Sequence, residues 1–139
     1  MGAPEADLNA LLSGMQPELS PDEFVYCTVP AGAERPPSLE PVCVFREAEG
    51  DSLIIRRDDA ERVGLPFTFS CRRITLRVHS SLEAVGFLAK IAQELAENGI
   101  SVNCVSAYYH DHLFVPAGEA ERALHVLQGL QRRSRRDSS

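Results

Sequence analysis

The stretch ITLRVHSSLEAVGFLAKIAQELAENGISVNCVS, residues 74–106, decides the fold. Apolar and polar residues alternate at its start, which is typical of a strand with one buried face. In its middle the apolar residues recur every three or four positions, which predicts an amphipathic helix. We therefore predict a strand at 73–79, a helix at 82–98 and a strand at 101–109. The buried stripe of the helix is expected to comprise Leu82, Val85, Leu88, Ile91, Ala92 and Leu95.

Both ends of the predicted helix carry recognisable end signals. Ser80 and Glu83 have the spacing of a capping box, in which each side chain accepts a hydrogen bond from a free backbone N–H group. Asn98 and Gly99 supply the left-handed stop that ends many helices. These signals predict a helix that begins at the serine pair and ends before the second strand.

The rest of the chain contains an internal repeat with a spacing of 60 residues. The segment DSLIIRRDDAER at 51–62 aligns with DHLFVPAGEAER at 111–122, which places Asp51 on Asp111. Each half reads strand, turn, strand, helix, which is part of a βαββαβ unit. A proline-rich loop at 30–41 stands where the first half should have its first helix. The remaining predicted elements are strands at 24–29, 42–47, 52–57 and 112–116, and helices at 8–15, 58–64 and 119–130.

Composition is that of a folded domain without a nucleic-acid-binding surface. The chain has 139 residues, is 44% hydrophobic and carries a net charge of −6. Four arginines and one aspartate lie in the last eight positions, so residues 1–131 carry 10 basic and 19 acidic residues. An acidic body repels a phosphate backbone, and the strands lack the aromatic platform of RNA-binding modules. We expect 132–139, which includes RRSRR, to be a disordered, solvated tail.

Sequence signals for a membrane or secreted protein are missing. No apolar run approaches the ~20 residues of a membrane helix, and no basic segment followed by an apolar stretch opens the chain. The cysteines are far apart and form no CxxC pair, which fits free thiols in a reducing cytoplasm better than disulfides or a zinc site. They are Cys27, Cys43, Cys71 and Cys104.

The stretch His110-Asp111-His112 admits two interpretations. It lies at a predicted hairpin tip, where the other half of the repeat has Glu49-Gly50-Asp51, and small polar residues are favoured in such turns. Two histidines two positions apart could instead chelate a metal ion, as in a small metal-dependent hydrolase. Because two imidazoles and one carboxylate are a common combination, we favour the polar turn and predict no metal and no cofactor.

The 74–106 segment resembles the ACT domain, a ferredoxin-like regulatory module that binds amino acids. The family pattern GxLAxIAxxLAxxGIxI is matched by Gly86, Leu88, Ile91, Leu95, Gly99, Ile100 and Val102. The resemblance is strong over 73–130 and weak over 23–70, as in short bacterial proteins with two ACT units. It implies an α+β fold of tandem ferredoxin-like βαββαβ units, with an antiparallel sheet and helices on one face. The implied divisions are a degenerate N-terminal unit at 1–70, a C-terminal ACT domain at 71–131 and the tail.

The resemblance also implies a ligand site beside the first strand–helix turn, at a domain interface. Free N–H groups at a helix start favour a carboxylate, and a glycine allows close approach. The alternative is that the serines and the glycine serve capping and packing alone. The residues implied at the site are Ser80, Ser81, Glu83, Val85 and Gly86 in the turn, with Asn103, Ser106 and Asp111 on the adjoining strands.

The resemblance leads to a functional hypothesis without catalysis. No nucleophile–base set, P-loop or Rossmann glycine pattern is present, so no catalytic residue is predicted. We expect a sensor that binds an amino acid or similar metabolite and signals through oligomerisation. The alternative is a protein–protein interaction module whose ligand turn is vestigial. The second unit lacks its closing fourth strand, so either the N-terminal segment or a partner chain should cover that edge, and we expect a homodimer.

Overall fold

The computed structural model describes residues 3–137. Every predicted strand and helix is present, with shifted ends. Six strands form one antiparallel sheet in the order β2-β3-β1-β4-β6-β5. A 3-10 turn at Ala117–Glu119 precedes the last helix. In chain order the elements are α1 (Leu8–Gly14), β1 (Pro17–Pro30), β2 (Cys43–Glu47), β3 (Gly50–Arg56), α2 (Arg57–Val63), β4 (Thr68–Leu76), α3 (Phe87–Glu97), β5 (Asn103–Ser106), β6 (Asp111–Pro116) and α4 (Ala120–Asp137).

The two ferredoxin-like units share the central strands β1 and β4. Strand β4 closes the first unit and is also the first strand of the second unit. The start of β1 is the fourth strand of the second unit. It pairs with the end of β4, where Pro17 lies opposite Leu76 and Leu19 opposite Ile74. The N-terminal segment therefore covers the edge that lacked a fourth strand, which is the first of the two expected alternatives. The open edge no longer provides a reason to expect a dimer.

Helices cover one face of the sheet, as predicted. Helices α1, α3 and α4 pack against the second unit, around buried Ile74, Leu76 and Leu113. Helix α2 covers the first unit, where the side chain of Leu39 also enters the core at 6% exposure. The proline-rich loop thus replaces the missing first helix with one apolar side chain. The opposite face carries a smaller apolar cluster of Phe24, Ile54, Cys71 and Phe114.

The start of α3 differs from the prediction. The helix begins at Phe87, five residues later than expected, and β4 ends at Leu76 rather than at 79. Leu82 and Val85 do not belong to the buried stripe, because they are 69% and 84% exposed. The capping box is wrong as well, because Gly86 is the N-cap residue and no side chain within 3–137 caps the helix. Long-range contacts of residues 79–81 override the local capping signal.

The last helix is longer than predicted. Residues 132–137 continue α4 rather than forming a disordered tail, and residues 138–139 lie outside the described part of the chain. The arginines find partners on neighbouring elements, which explains the extension. Arg133 donates to the Glu94 carboxylate at 3.0 Å, and Arg135 donates to the Ser13 carbonyl at 2.9 Å.

Candidate functional site

The N-terminal segment holds the turn between β4 and α3 in place. Glu5 forms a short parallel bridge with this turn: its N–H donates to the His79 carbonyl at 2.8 Å, and its carbonyl accepts from the Ser81 N–H at 2.7 Å. Further along, the Ser81 hydroxyl accepts from the Glu83 N–H at 3.1 Å. These bonds satisfy the backbone of the turn without helical structure, so the helix starts only after it.

Gly86 is the residue at which the chain enters α3. Its φ of 90° lies in the left-handed region, which glycine adopts without steric cost. A Cβ at this position would meet one atom within 4 Å, Leu8 Cδ2 at 3.8 Å, so the backbone angle rather than lack of space calls for glycine. The first N–H groups of a helix have no partner within it, and here no side chain of the described residues caps them. They remain available to a ligand.

Asp111 is a buried acidic residue that lines the same cavity as this helix start. It opens β6, is 5% exposed, and accepts a hydrogen bond from the Ser80 hydroxyl at 2.7 Å. No ion pair to Asp111 is present among residues 3–137. A buried carboxylate is costly to keep ionised without a cationic or hydrogen-bonding partner. Its second oxygen is therefore suited to a donor from a ligand.

One cavity of about 200 Å³ joins these features. Of the predicted site residues, Ser80, Ser81, Gly86, Ser106 and Asp111 line it. Glu83, Val85 and Asn103 do not, and all three are exposed. The lining residues that the sequence did not indicate are Leu82, Ala84, Phe87, Leu88 and Ala89, of which the last three contribute the first turn of α3. Gly86 could have indicated these residues, because a glycine in the left-handed region at the N-cap would have predicted that the helix starts at Phe87.

A larger cleft, of about 470 Å³, lies elsewhere, between β1 and α2. Each of its two arginines is within ion-pair distance of two of its four carboxylates. Arg57 contacts Glu23 at 3.3 Å and Glu61 at 3.0 Å, and all three side chains are well exposed. Such pairs contribute little energy, and the cleft contains no buried polar group. We therefore place the candidate site at the smaller cavity.

The histidine turn does not extend this site. His112 lies on the opposite face of the sheet from Asp111, with Nδ1 3.0 Å from the Thr75 hydroxyl. Burial, the largest cause, lowers the pKa of both His110 and His112. Across residues 3–137, no group of three or more His, Cys, Asp or Glu side chains is arranged to hold a metal ion. Nor does that part of the chain contain a helix long and apolar enough to cross a membrane.

Comparison with known proteins identifies similar chains. A family model described as ACT domain matches residues 3–72, and a second ACT domain model matches 69–129. The overlap at 69–72 falls on the shared strand β4. A sequence comparison with curated proteins found no match.

Solved structures share the fold. A Vibrio cholerae protein of unknown function, described as a possible transport protein, is 44% identical, with a TM-score of 0.80 over 89% of this chain and 95% of that one. An Agrobacterium tumefaciens protein is 17% identical (TM-score 0.67, 79% and 84% covered). The ligand-free regulatory subunit of Thermus thermophilus aspartate kinase is 12% identical (TM-score 0.63, 84% and 97% covered). The predicted fold of tandem ferredoxin-like units is confirmed, and the chain belongs to the ACT domain family.

Proposed function

We propose that the chain is a non-enzymatic regulatory module that binds a free amino acid, or a similar small zwitterion, in the cavity at the start of α3. ACT domains are in general regulatory modules that bind small molecules such as amino acids. One observation carries the proposal for this chain. A buried carboxylate, Asp111, and the uncapped N-terminus of α3 face the same cavity.

The two groups suit the two charges of an amino acid. The free N–H groups of Phe87 and the residues after it would bind the carboxylate, aided by the helix dipole. Asp111 would bind the ammonium group, with the Ser80 hydroxyl holding its other oxygen at 2.7 Å. Ser106, opposite Asp111 in the β5–β6 pair, offers a further hydroxyl. A zwitterion in this orientation places a negative charge at the positive end of the helix dipole and a positive charge beside the buried carboxylate of Asp111.

The same lining gives no support to catalysis. Its hydroxyl groups belong to Ser80, Ser81 and Ser106, and no histidine, lysine or cysteine lines the cavity with them. A serine hydroxyl needs an adjacent base to become a nucleophile. Within residues 3–137 the Ser80 hydroxyl donates to the Asp111 carboxylate, which acts here as the acceptor of a structural hydrogen bond. We therefore assign binding rather than turnover to the cavity, and four free thiols suit a reducing cytoplasm.

Signalling through oligomerisation is the second part of the proposal. At about 200 Å³ the cavity is smaller than the ~300–1,000 Å³ of usual ligand pockets. Beside it the β4–α3 turn exposes Leu82 at 69% and Val85 at 84%, and the β5–β6 hairpin exposes Tyr108 at 73%. A second copy of the chain that packs on these residues would enclose the ligand and bury them. Val85, predicted to touch ligand, is then an interface residue.

The same exposed residues favour the alternative, a protein-interaction module without a ligand. The two functions differ in one measurable property. An interaction module buries Leu82 and Val85 against its partner and gains no stability from any amino acid. A sensor gains stability from a particular amino acid, because a ligand that binds the folded state shifts the unfolding equilibrium.

A thermal-shift screen of the twenty amino acids tests the proposal, with Asp111→Asn as the diagnostic variant. The amide still accepts from Ser80 but lacks the negative charge, so we expect an unchanged apo melting temperature and a lost response to the ligand. Asp51→Asn is the matched control, because Asp51 aligns with Asp111 in the repeat but lines no described cavity. A response to no amino acid, or an equal response of the parent and Asp111→Asn, contradicts the binding proposal.

Sedimentation velocity tests assembly separately. We expect the responding amino acid to increase the fraction of dimer, and Val85→Glu to abolish the dimer while leaving the monomer folded. A mass of one chain, 15.3 kDa, in the presence of saturating ligand would contradict signalling through a homodimer.

A further inference from the structure

The helix-free face of the sheet contains a second cavity, on the side opposite to the proposed amino-acid site. It has a volume of about 100 Å³. Val42 and Cys43 come from one outer edge of the sheet, and Val105 and Ala107 from the other, yet all four line it. The outer strands of a flat sheet with six strands would be ~24 Å apart, at ~4.8 Å per spacing. The sheet therefore curls and brings its edges together over this face.

Arg73 lines this cavity. Its Nε atom is buried without a hydrogen bond, and within residues 3–137 no ion pair involves its guanidinium. The guanidinium lies over the Phe24 ring, 5.2 Å from the centroid. The guanidinium group brings a positive charge to this position. Arg73 is half-buried and its Nε is fully buried, and a charge that is partly removed from water without an ionic partner favours an anion beside it.

No side chain around the cavity supplies that opposite charge. Among the residues that the structure describes, the lining contains no aspartate or glutamate; it consists of Val42, Cys43, Arg73, Val105, Ala107, His112 and Phe114. Burial raises the pKa of Tyr26 and of Cys71, which face this side of the sheet, to about 12, so both are neutral near pH 7. Burial first, and then Arg73, lowers the pKa of His112. The cavity therefore carries an uncompensated positive charge.

We propose that this cavity is a binding site for a small carboxylate anion with a short aliphatic chain. The planar guanidinium of Arg73 can donate two parallel hydrogen bonds to a carboxylate. Val42, Val105 and Phe114 provide apolar walls for the aliphatic part. The volume of about 100 Å³ equals roughly three waters of ~30 Å³, which restricts the ligand to a few heavy atoms.

The ligand class differs from that of the amino-acid site. An amino acid brings an ammonium group, and no carboxylate lines this cavity to accept it. Repulsion between the ammonium and Arg73 disfavours a zwitterion, whereas Asp111 favours it in the other cavity. The two sites face opposite sides of the sheet, so this proposal stands or falls independently of the proposed function.

His112 provides the readout for a direct test with propionate as the probe. The imidazole is followed by NMR in a pH titration of the full chain, with and without propionate, and with alanine and inorganic phosphate for comparison. A bound anion offsets the charge of Arg73, so propionate should shift the His112 resonances saturably and raise its pKa. Alanine and phosphate should have little effect. No saturable shift, or an equal shift with phosphate or alanine, overturns the proposal.

Three variants assign the effect to the cavity. Arg73→Gln should weaken propionate binding by about 10- to 100-fold, because it removes the charge and the paired donors. Arg46→Gln, at an exposed residue on β2, makes the same change in net charge and should leave binding unchanged. Should Arg73→Gln fail to fold, Val105→Phe keeps the arginine and fills the cavity, with the same expected loss. Undiminished propionate binding in Arg73→Gln or in Val105→Phe refutes the site.

Discussion

Replacing Gly86 by alanine tests the structure at the start of α3. In a helix interior this change would stabilise the protein by ~1 kcal/mol, because alanine has a higher helix propensity than glycine. The structure predicts the opposite sign, because Gly86 has a φ of 90° and stands outside the helix as its N-cap. A residue with a Cβ pays ~1–2 kcal/mol in the left-handed region, and the gain from a less flexible unfolded chain, ~0.4–1 kcal/mol, offsets part of it.

We therefore expect Gly86→Ala to lower the free energy of unfolding by about 1 kcal/mol and the melting temperature by about 3–5 °C. Steric overlap adds nothing, since the nearest atom to the new Cβ is Leu8 Cδ2 at 3.8 Å. Urea unfolding followed by circular dichroism measures the change. Gly86→Asn should lower the free energy of unfolding by about half as much as Gly86→Ala, because asparagine adopts this backbone region more readily than alanine.

Gly14→Ala is the control for the assay. Gly14 ends α1 without a positive φ, and a Cβ at this position would have no neighbouring atom within 4 Å. Alanine there should be neutral or stabilising by up to ~1 kcal/mol. If Gly86→Ala is as stable as the parent while Gly14→Ala behaves as expected, the left-handed start of α3 is refuted.

Three further predictions concern other parts of the fold. Gly50→Ala should cost at least ~2 kcal/mol in a urea unfolding curve, because its Cβ would overlap the Val29 carbonyl oxygen and backbone cannot easily move aside. Ser134→Pro should cost ~3 kcal/mol or more by the same measurement, since it interrupts α4, whereas in a disordered tail it would change nothing. Burial and Arg73 lower the pKa of His112 below 6.5, so below that pH the unfolded chain binds more protons and stability should fall as pH decreases. His112→Gln should make stability fall less as pH decreases through 6.5, and an identical fall in the parent and the variant would contradict this prediction.

Much of the fold was readable from local patterns. The alternation in β4, the periodic apolar residues of α3 and the 60-residue repeat predicted the strands, the helices and the ferredoxin-like units. The β5–β6 hairpin was likewise predicted from the repeat, but its tip is residues 107–110, and Asp111 and His112 already belong to β6. For the candidate site, the family pattern indicated the turn beside which the cavity lies, and five of the eight predicted residues line that cavity. Whether these residues bind a ligand stays a prediction.

Residues separated far along the chain decided the rest. The Ser80–Glu83 spacing is a valid capping signal, yet the Ser80 hydroxyl bonds to Asp111 and Glu5 holds the adjacent backbone. The arginine-rich sequence of 132–137 is typical of a solvated tail, yet Arg133 bonds to Glu94 of α3 and Arg135 to the Ser13 carbonyl of α1.

The sequence by itself determined which segments become strands and helices and to which family the chain belongs, because periodicity and local propensity act over a few residues. The tertiary structure decided where α3 begins, how far α4 extends and which strand fills the open edge. It also decided that Asp111 faces the helix start while Arg73 remains unpaired on the other side of the sheet. Each of these depends on the free energy of contacts between distant segments, which exceeds the preference of a local signal.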